Sequence, residues 1–203
     1  MFFVVPDYAM SAGTILCMSG DRIYMDYSAS LGPIDPRLWN GKDWVPALGY
    51  LDKVEELLEK ARRKELTDAE FLLLQNQDLA TLSRYEQQRN LTVTLLKQWL
   101  VQYKFKDWGI HGTSPSKQGR AVSAEEKQAR AEEVARKLGD NRLWHSHGRM
   151  IGPDTLRNEL RLVIEDLSAD SELHTLVRDY NDLLVQYIVR NGFTYLLHSR
   201  NYF

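Results

Sequence analysis

Cysteine is almost absent: Cys17 is the single thiol among 203 residues, so no disulfide closes within the chain and a reducing compartment fits. An excess of either charge is absent too. The 26 lysines and arginines meet 28 aspartates and glutamates, and a net charge of −2 gives no reason to expect nucleic acid as a partner. No apolar run is long enough to span a bilayer. The opening run from Met1 reaches Pro6 and Asp7 too soon, and it carries no basic leader. Together these point to a cytoplasmic protein. No cysteine pair or glutamate spacing completes a zinc ligand set, and no metal or cofactor is expected.

What remains is the composition of a globular protein, 43% hydrophobic and 27% charged, enough for one sizeable core and a helical appendage. Its most informative stretch is the beginning. The apolar run Phe2–Val5 ends in a turn at Pro6-Asp7, and Ser11, set among small residues, opens a second apolar run that reads as a helix. Such a junction exposes a hydroxyl for nucleophilic attack, and the helix N-terminus stabilises charge developing beside it. The N–H of Ala12 would then serve an oxyanion. The competing reading is a plain helix cap, since serine is favoured there.

Three ordered segments, Ala9-Met10-Ser11-Ala12-Gly13, Gly20-Asp21-Arg22-Ile23 and Leu31-Gly32-Pro33-Ile34-Asp35-Pro36, resemble the ClpP/crotonase superfamily. More narrowly they resemble the serine dehydrogenase proteinase family, related to signal peptide peptidase A. The stretches Tyr103–Trp108 and Trp144–Arg149 are similar to that family as well. The resemblance implies an α/β fold: residues 1–45 as the C-terminal part of a ClpP/crotonase-like core, and 46–203 as a mainly helical region packed on it. It implies a nucleophile preceded by further strand–helix units and a glycine-rich loop, so the chain reads as the later part of a longer protein or one partner of a split one. It also implies a homo-oligomer.

Along the chain, Ser11–Ser19 reads as a short helix closed by Gly20, Arg22–Met25 as a strand and Ser28–Leu31 as another. From Pro46 the spacing turns helical, with Leu48, Leu51, Val54 and Leu57 on one stripe. Thr67 and Ser123 each open a capping box. Between them, Leu79, Leu82, Tyr85, Val93, Leu96, Leu100 and Tyr103 trace a long amphipathic helix interrupted only at Arg89. Residues 109–122 read as an exposed loop, and the helix after Ser123 as a solvated one laced by Glu126/Arg130, Glu132/Arg136 and Glu133/Lys137. Pro153 suits a helix start, Leu160–Ile164 alternates like a strand, Leu173–Val189 is helical, and Phe193–His198 reads as a closing strand.

A nucleophilic serine needs a base. ClpP-like enzymes place a histidine after the second strand, but Ser28–Pro36 holds none; signal-peptide-peptidase-like enzymes use a later lysine, with Lys42 or Lys53 in that region. Lys53, among Glu55, Glu56 and Glu59, reads as solvated, and Lys97 has no better claim. His145 and His147 are the other candidates, against an ordered loop whose histidines bind backbone carbonyls. Gly32 and Asp35 fall where substrate would lie, with Asp35 either orienting a base or serving as a turn residue. His111, His174 and His198 sit in no motif; Gly13 suits close packing, and Trp39 and Trp44 suit packing or oligomer contacts.

Three functions follow. One is a serine peptidase acting on a peptide or protein through a Ser11 acyl-enzyme. Another is a catalytically incomplete scaffold or split-protease subunit whose missing strands come from an N-terminal partner. The third, a crotonase-type acyl-CoA enzyme, is disfavoured by a nucleophilic serine.

Overall fold

The computed structural model describes residues 1–39, 41–112 and 114–201. It opens with strands β1 (Phe2–Val5) and β2 (Tyr8–Ala9), helix α1 (Ala12–Met18), and strands β3 (Arg22–Met25) and β4 (Ser30–Leu31). A hairpin of β5 (Arg37–Trp39) and β6 (Trp44–Pro46) leads into helices α2 (Ala47–Arg62), α3 (Asp68–Gln75) and α4 (Leu79–Trp99). Helix α4 loosens into a π-turn at Leu100–Lys104. Then come α5 (Ala124–Leu138), α6 (Asn141–Trp144), α7 (Pro153–Asn158), β7 (Glu165–Asp166) and α8 (Ser171–Asn191).

The first 31 residues form two short parallel ladders bridged by one helix. β1 pairs with β3, Phe2 opposite Arg22 and Val5 opposite Met25, and β3 pairs in turn with β7. Past the bends at Pro6-Asp7 and Asp26–Ala29 the two chains pair again as β2 and β4, Tyr8 opposite Ser30 and Ala9 opposite Leu31. Parallel strands need a crossover, and α1 supplies it, burying Cys17 and Met18 against Val5, Ile23 and Met25. Leu96 and Leu100 from the α4 end, Val134 and Leu138 from α5, and Leu156 and Ile164 complete this core. A second cluster joins Ala47 and Leu51 of α2 to Tyr85 of α4, with Tyr50 edge-on to the Tyr85 ring at 4.9 Å.

Both capping boxes close as their sequences require, Thr67 with Glu70 and Ser123 with Glu126, and Pro153 begins α7. Other expectations change. Leu160, Leu162 and Ile164 are buried between exposed neighbours, yet they lie outside any ladder, and the paired residues are Glu165 and Asp166. Their alternation records burial of one side, which an irregular extended segment also satisfies. The segment Phe193–His198 forms no strand: Gly192, at φ 64°, ends α8, and the chain continues irregularly. Helix α5 is less solvated than its charges imply, because Ala131, Val134, Ala135 and Leu138 put one face in the core. Of its three expected ion pairs, Glu133–Lys137 forms at 3.2 Å, while Glu132 and Glu126 pair outside the helix, with Lys97 and Lys117. Among the described residues no helix is long and apolar enough to cross a membrane.

Candidate active site

Ser11 stands between β2 and α1 with φ 52° and ψ −109°, backbone angles that glycine adopts readily and side-chain-bearing residues avoid. The fold holds it there by two bonds: the Gly13 N–H donates to the Met10 carbonyl at 2.8 Å, and the Ile15 N–H to the Ser11 carbonyl at 3.1 Å. Ser11 therefore begins the helix with its backbone alone. Its hydroxyl makes no capping bond and has no hydrogen-bond partner among the described residues. The strained turn, the uncommitted hydroxyl and the first-turn N–H of Ala12, which has no intrahelical acceptor, are the parts of a nucleophile elbow.

One turn later Thr14, which carries no sequence motif, holds the turn together. Fully buried, its hydroxyl lies 2.8 Å from the Ala9 carbonyl and 2.9 Å from the Gly32 carbonyl, and it accepts the Gly32 N–H at 3.0 Å. It thus ties the end of β2, the start of α1 and the loop after β4 into one unit beneath Ser11. Close approach explains both glycines here. A Cβ on Gly32 would stand 2.6 Å from the Met10 methyl, and one on Gly13 would stand 3.2 Å from the Ala9 Cβ.

Asp35 and His147 come together, from positions 112 apart. Asp35 is 4% exposed and accepts the Leu48 N–H at 3.0 Å, capping α2 from outside. Burial pushes its carboxyl above the usual range, while the Leu48 N–H and the nearby His147 pull it down. His147 shares a small cleft with Asp35, Ile34 and Trp144, and its buried Nδ1 has no partner among the described residues. His145 has a different place: exposed, with φ 60°, it is the left-handed residue that stops α6. Lys53 is 60% exposed and bonded to Glu56 at 2.9 Å.

Two further groups carried no sequence motif. Asp26, just after β3, is 4% exposed along its side chain; its Oδ2 lies 2.8 Å from His174 Nε2, and its buried Oδ1 has no partner among the described residues. Lys104 lies in the π-turn with a buried amine that has no hydrogen-bond partner among the described residues, and burial lowers its pKa to about 8, opposed by Cys17 and Asp21. Those neighbours put it at the far end of α1 from Ser11. Cys17 is raised to about 11 by the same burial.

A family model described as ClpP-like SDH-type serine proteinase matches residues 1–114, which contain the whole elbow and the Thr14 tie. The chain belongs to this family. A relative, the uncharacterized protein MJ0137 of Methanocaldococcus jannaschii, is 34% identical over 104 residues, 51% of this chain and 32% of the relative. A shorter match, 43% identical over 35 residues, joins 17% of the chain to 12% of the uncharacterized protein MJ1495 of the same organism. The chain thus spans about a third or less of the curated relatives it matches. No solved structure matches it.

Proposed function

We propose that the chain carries the nucleophile of a serine peptidase: Ser11 Oγ gives its proton to a base and attacks a peptide carbonyl, and the Ala12 N–H receives the oxyanion. The C–N bond breaks as the base returns the proton to the departing amine, and water then hydrolyses the Ser11 acyl-enzyme to the free acid. The observation that carries this is the Ser11 backbone at positive φ with a hydroxyl left out of the helix cap. A serine retained only for capping would spend its oxygen on the N2 or N3 amide. Membership of a serine proteinase family supports the same reading.

Two carboxylate–histidine pairs compete for the role of base, His147 beside Asp35 and His174 bonded to Asp26. Neither histidine hydrogen-bonds Ser11, and nucleophile–base bonds often close only around substrate. The favoured base is His147, whose buried Nδ1 still lacks a partner. Lys53, held by Glu56 on an exposed face, is the weaker candidate. Gly32 and Asp35 would flank the bound peptide backbone.

A second reading, a subunit that needs further strands, draws on β1. It is the edge of its sheet, with Phe2 62% and Val4 45% exposed, where parallel strands are ordinarily covered on both faces. In that case a partner segment completes the sheet, and a homo-oligomer follows the family resemblance.

The deciding experiment is labelling with a fluorophosphonate probe. The parent should be labelled and Ser11→Ala should not. Equal labelling of the two would remove Ser11 from the mechanism. Separate replacement of His147 and His174 by alanine then identifies the base by which of them slows labelling. Slow labelling of the parent that speeds up when a strand-supplying segment is co-expressed would favour the subunit reading.

A further inference from the structure

Arg89 interrupts the apolar stripe of α4, and nothing in the peptidase reading uses it. In the fold it lines a partly open cavity of about 180 Å³ between α2, α4, α5 and the Ile34–Pro36 segment. Leu48, Val93, Leu96 and Ala135 make the walls apolar. Arg136 of α5 lines the same space. Among the described residues, Arg89 is bonded only to its neighbour Asn90, at 3.4 Å, and Arg136 has no hydrogen bond or ion pair.

The acidic groups that could neutralise these arginines are engaged elsewhere. Glu132 also lines the cavity, but its carboxylate pairs with Lys97 across the helices. Glu133 is held by Arg130 and Lys137. An apolar hollow lined by two arginines that make no ion pair among the described residues matches an anion with an apolar tail. Guanidinium favours carboxylate because its planar donors meet both oxygens. A cavity of roughly 150 Å³ holds a six-carbon ring, which sets the scale of the tail.

We propose that this cavity binds a small monocarboxylate with an apolar tail of about six carbons, its carboxylate between Arg89 and Arg136 and its tail against Val93, Leu96 and Ala135. Ser11 does not line this cavity, and the proposal stands whether or not the peptidase reading does.

Saturation-transfer NMR and calorimetry with sodium hexanoate test it, with 1-hexanol as the uncharged counterpart. Hexanoate should bind the parent, and hexanol should bind about tenfold more weakly, the loss expected for a charge-assisted bond. Arg136→Gln, at an exposed position that leaves the fold intact, should weaken hexanoate by a similar factor and leave hexanol unchanged. Ala135→Leu, checked by its thermal unfolding, should reduce both by filling the hollow. Equal affinity for the acid and the alcohol, an unaltered Arg136→Gln, or no saturation transfer to hexanoate from the parent would each overturn the proposal.

Discussion

The Thr14 hydroxyl and the Gly32 backbone bond to one another in both directions, the hydroxyl at 2.9 Å from the Gly32 carbonyl and accepting the Gly32 N–H at 3.0 Å. A single proton on that hydroxyl is shared between the Ala9 and Gly32 carbonyls, so one fully buried side chain satisfies three backbone groups. Valine has nearly the shape of threonine and none of its bonds. Thr14→Val should destabilise the fold by about 2–3 kcal/mol, the cost of stranding buried polar groups, and should slow fluorophosphonate labelling of Ser11. Thr14→Ser should restore most of both. Denaturant unfolding beside a labelling time course measures the two effects, and a Thr14→Val protein with parental stability would refute the tie.

Strain at Ser11 makes a separate prediction. Glycine tolerates φ 52° and alanine does not. Both substitutions remove the hydroxyl, so both should abolish labelling, but Ser11→Gly should be more stable than Ser11→Ala by about 1 kcal/mol. Thermal melts of the two variants decide it. Equal melting temperatures would mean the turn stores no strain.

Asp35 gives a pH signature. Its carboxyl is raised in the fold, so its contribution is fully present below its ordinary pKa and is lost as pH rises through the raised value. Asp35→Asn keeps an oxygen for the Leu48 N–H and never ionises. The melting temperature of Asp35→Asn minus that of the parent should therefore grow as pH rises from about 4 toward neutrality. A difference that stays flat across that range would show that burial does not penalise the Asp35 charge. If Asp35 also orients His147, labelling of Ser11 falls in the same variant while stability rises.

Helix α8 buries no residue completely and is held to the strand ends by polar groups. Arg178 donates to the Pro6 carbonyl at 2.9 Å and to Asp7 at 2.7 Å, Asn181 donates to Asp7 at 2.7 Å, and His174 meets Asp26. Arg178 in turn holds the Asp7 carboxyl below its usual range, aided by Asn181 and opposed by burial. Arg178→Ala should release α8 and raise its rate of limited proteolysis about tenfold, as expected for loss of charge-assisted bonds. Hydrogen exchange should show faster exchange confined to residues 171–191. Unaltered cleavage would mean that other contacts anchor the helix.

Local chemistry was legible before any coordinate. The junction at Ser11, the capping boxes at Thr67 and Ser123 and the start at Pro153 depend on residues within one turn of each other, and each formed where its sequence placed it. The alternation at Leu160–Ile164 misled because burial on one side gives a period of two with or without a ladder. The Glu132/Arg136 spacing misled because Lys97, on another helix, offers Glu132 a competing cation. At the candidate site, Ser11, Ala12, Gly32 and Asp35 could be singled out from sequence, whereas Thr14 in its apolar run, Lys104 and the Asp26–His174 pair carried no mark.

The sequence alone set where helices begin and end, and which hydroxyl sits at a strand–helix turn, because these depend on backbone donors and short side chains only a few residues apart. Tertiary structure decided which charges are free and which histidines meet carboxylates. Asp26 and His174 are 148 positions apart, and the burial that leaves Lys104 unpaired and raises Asp35 comes from packing between distant elements. No pattern along the chain encodes a contact of that kind, since its energy exists only once water has been excluded between the two surfaces.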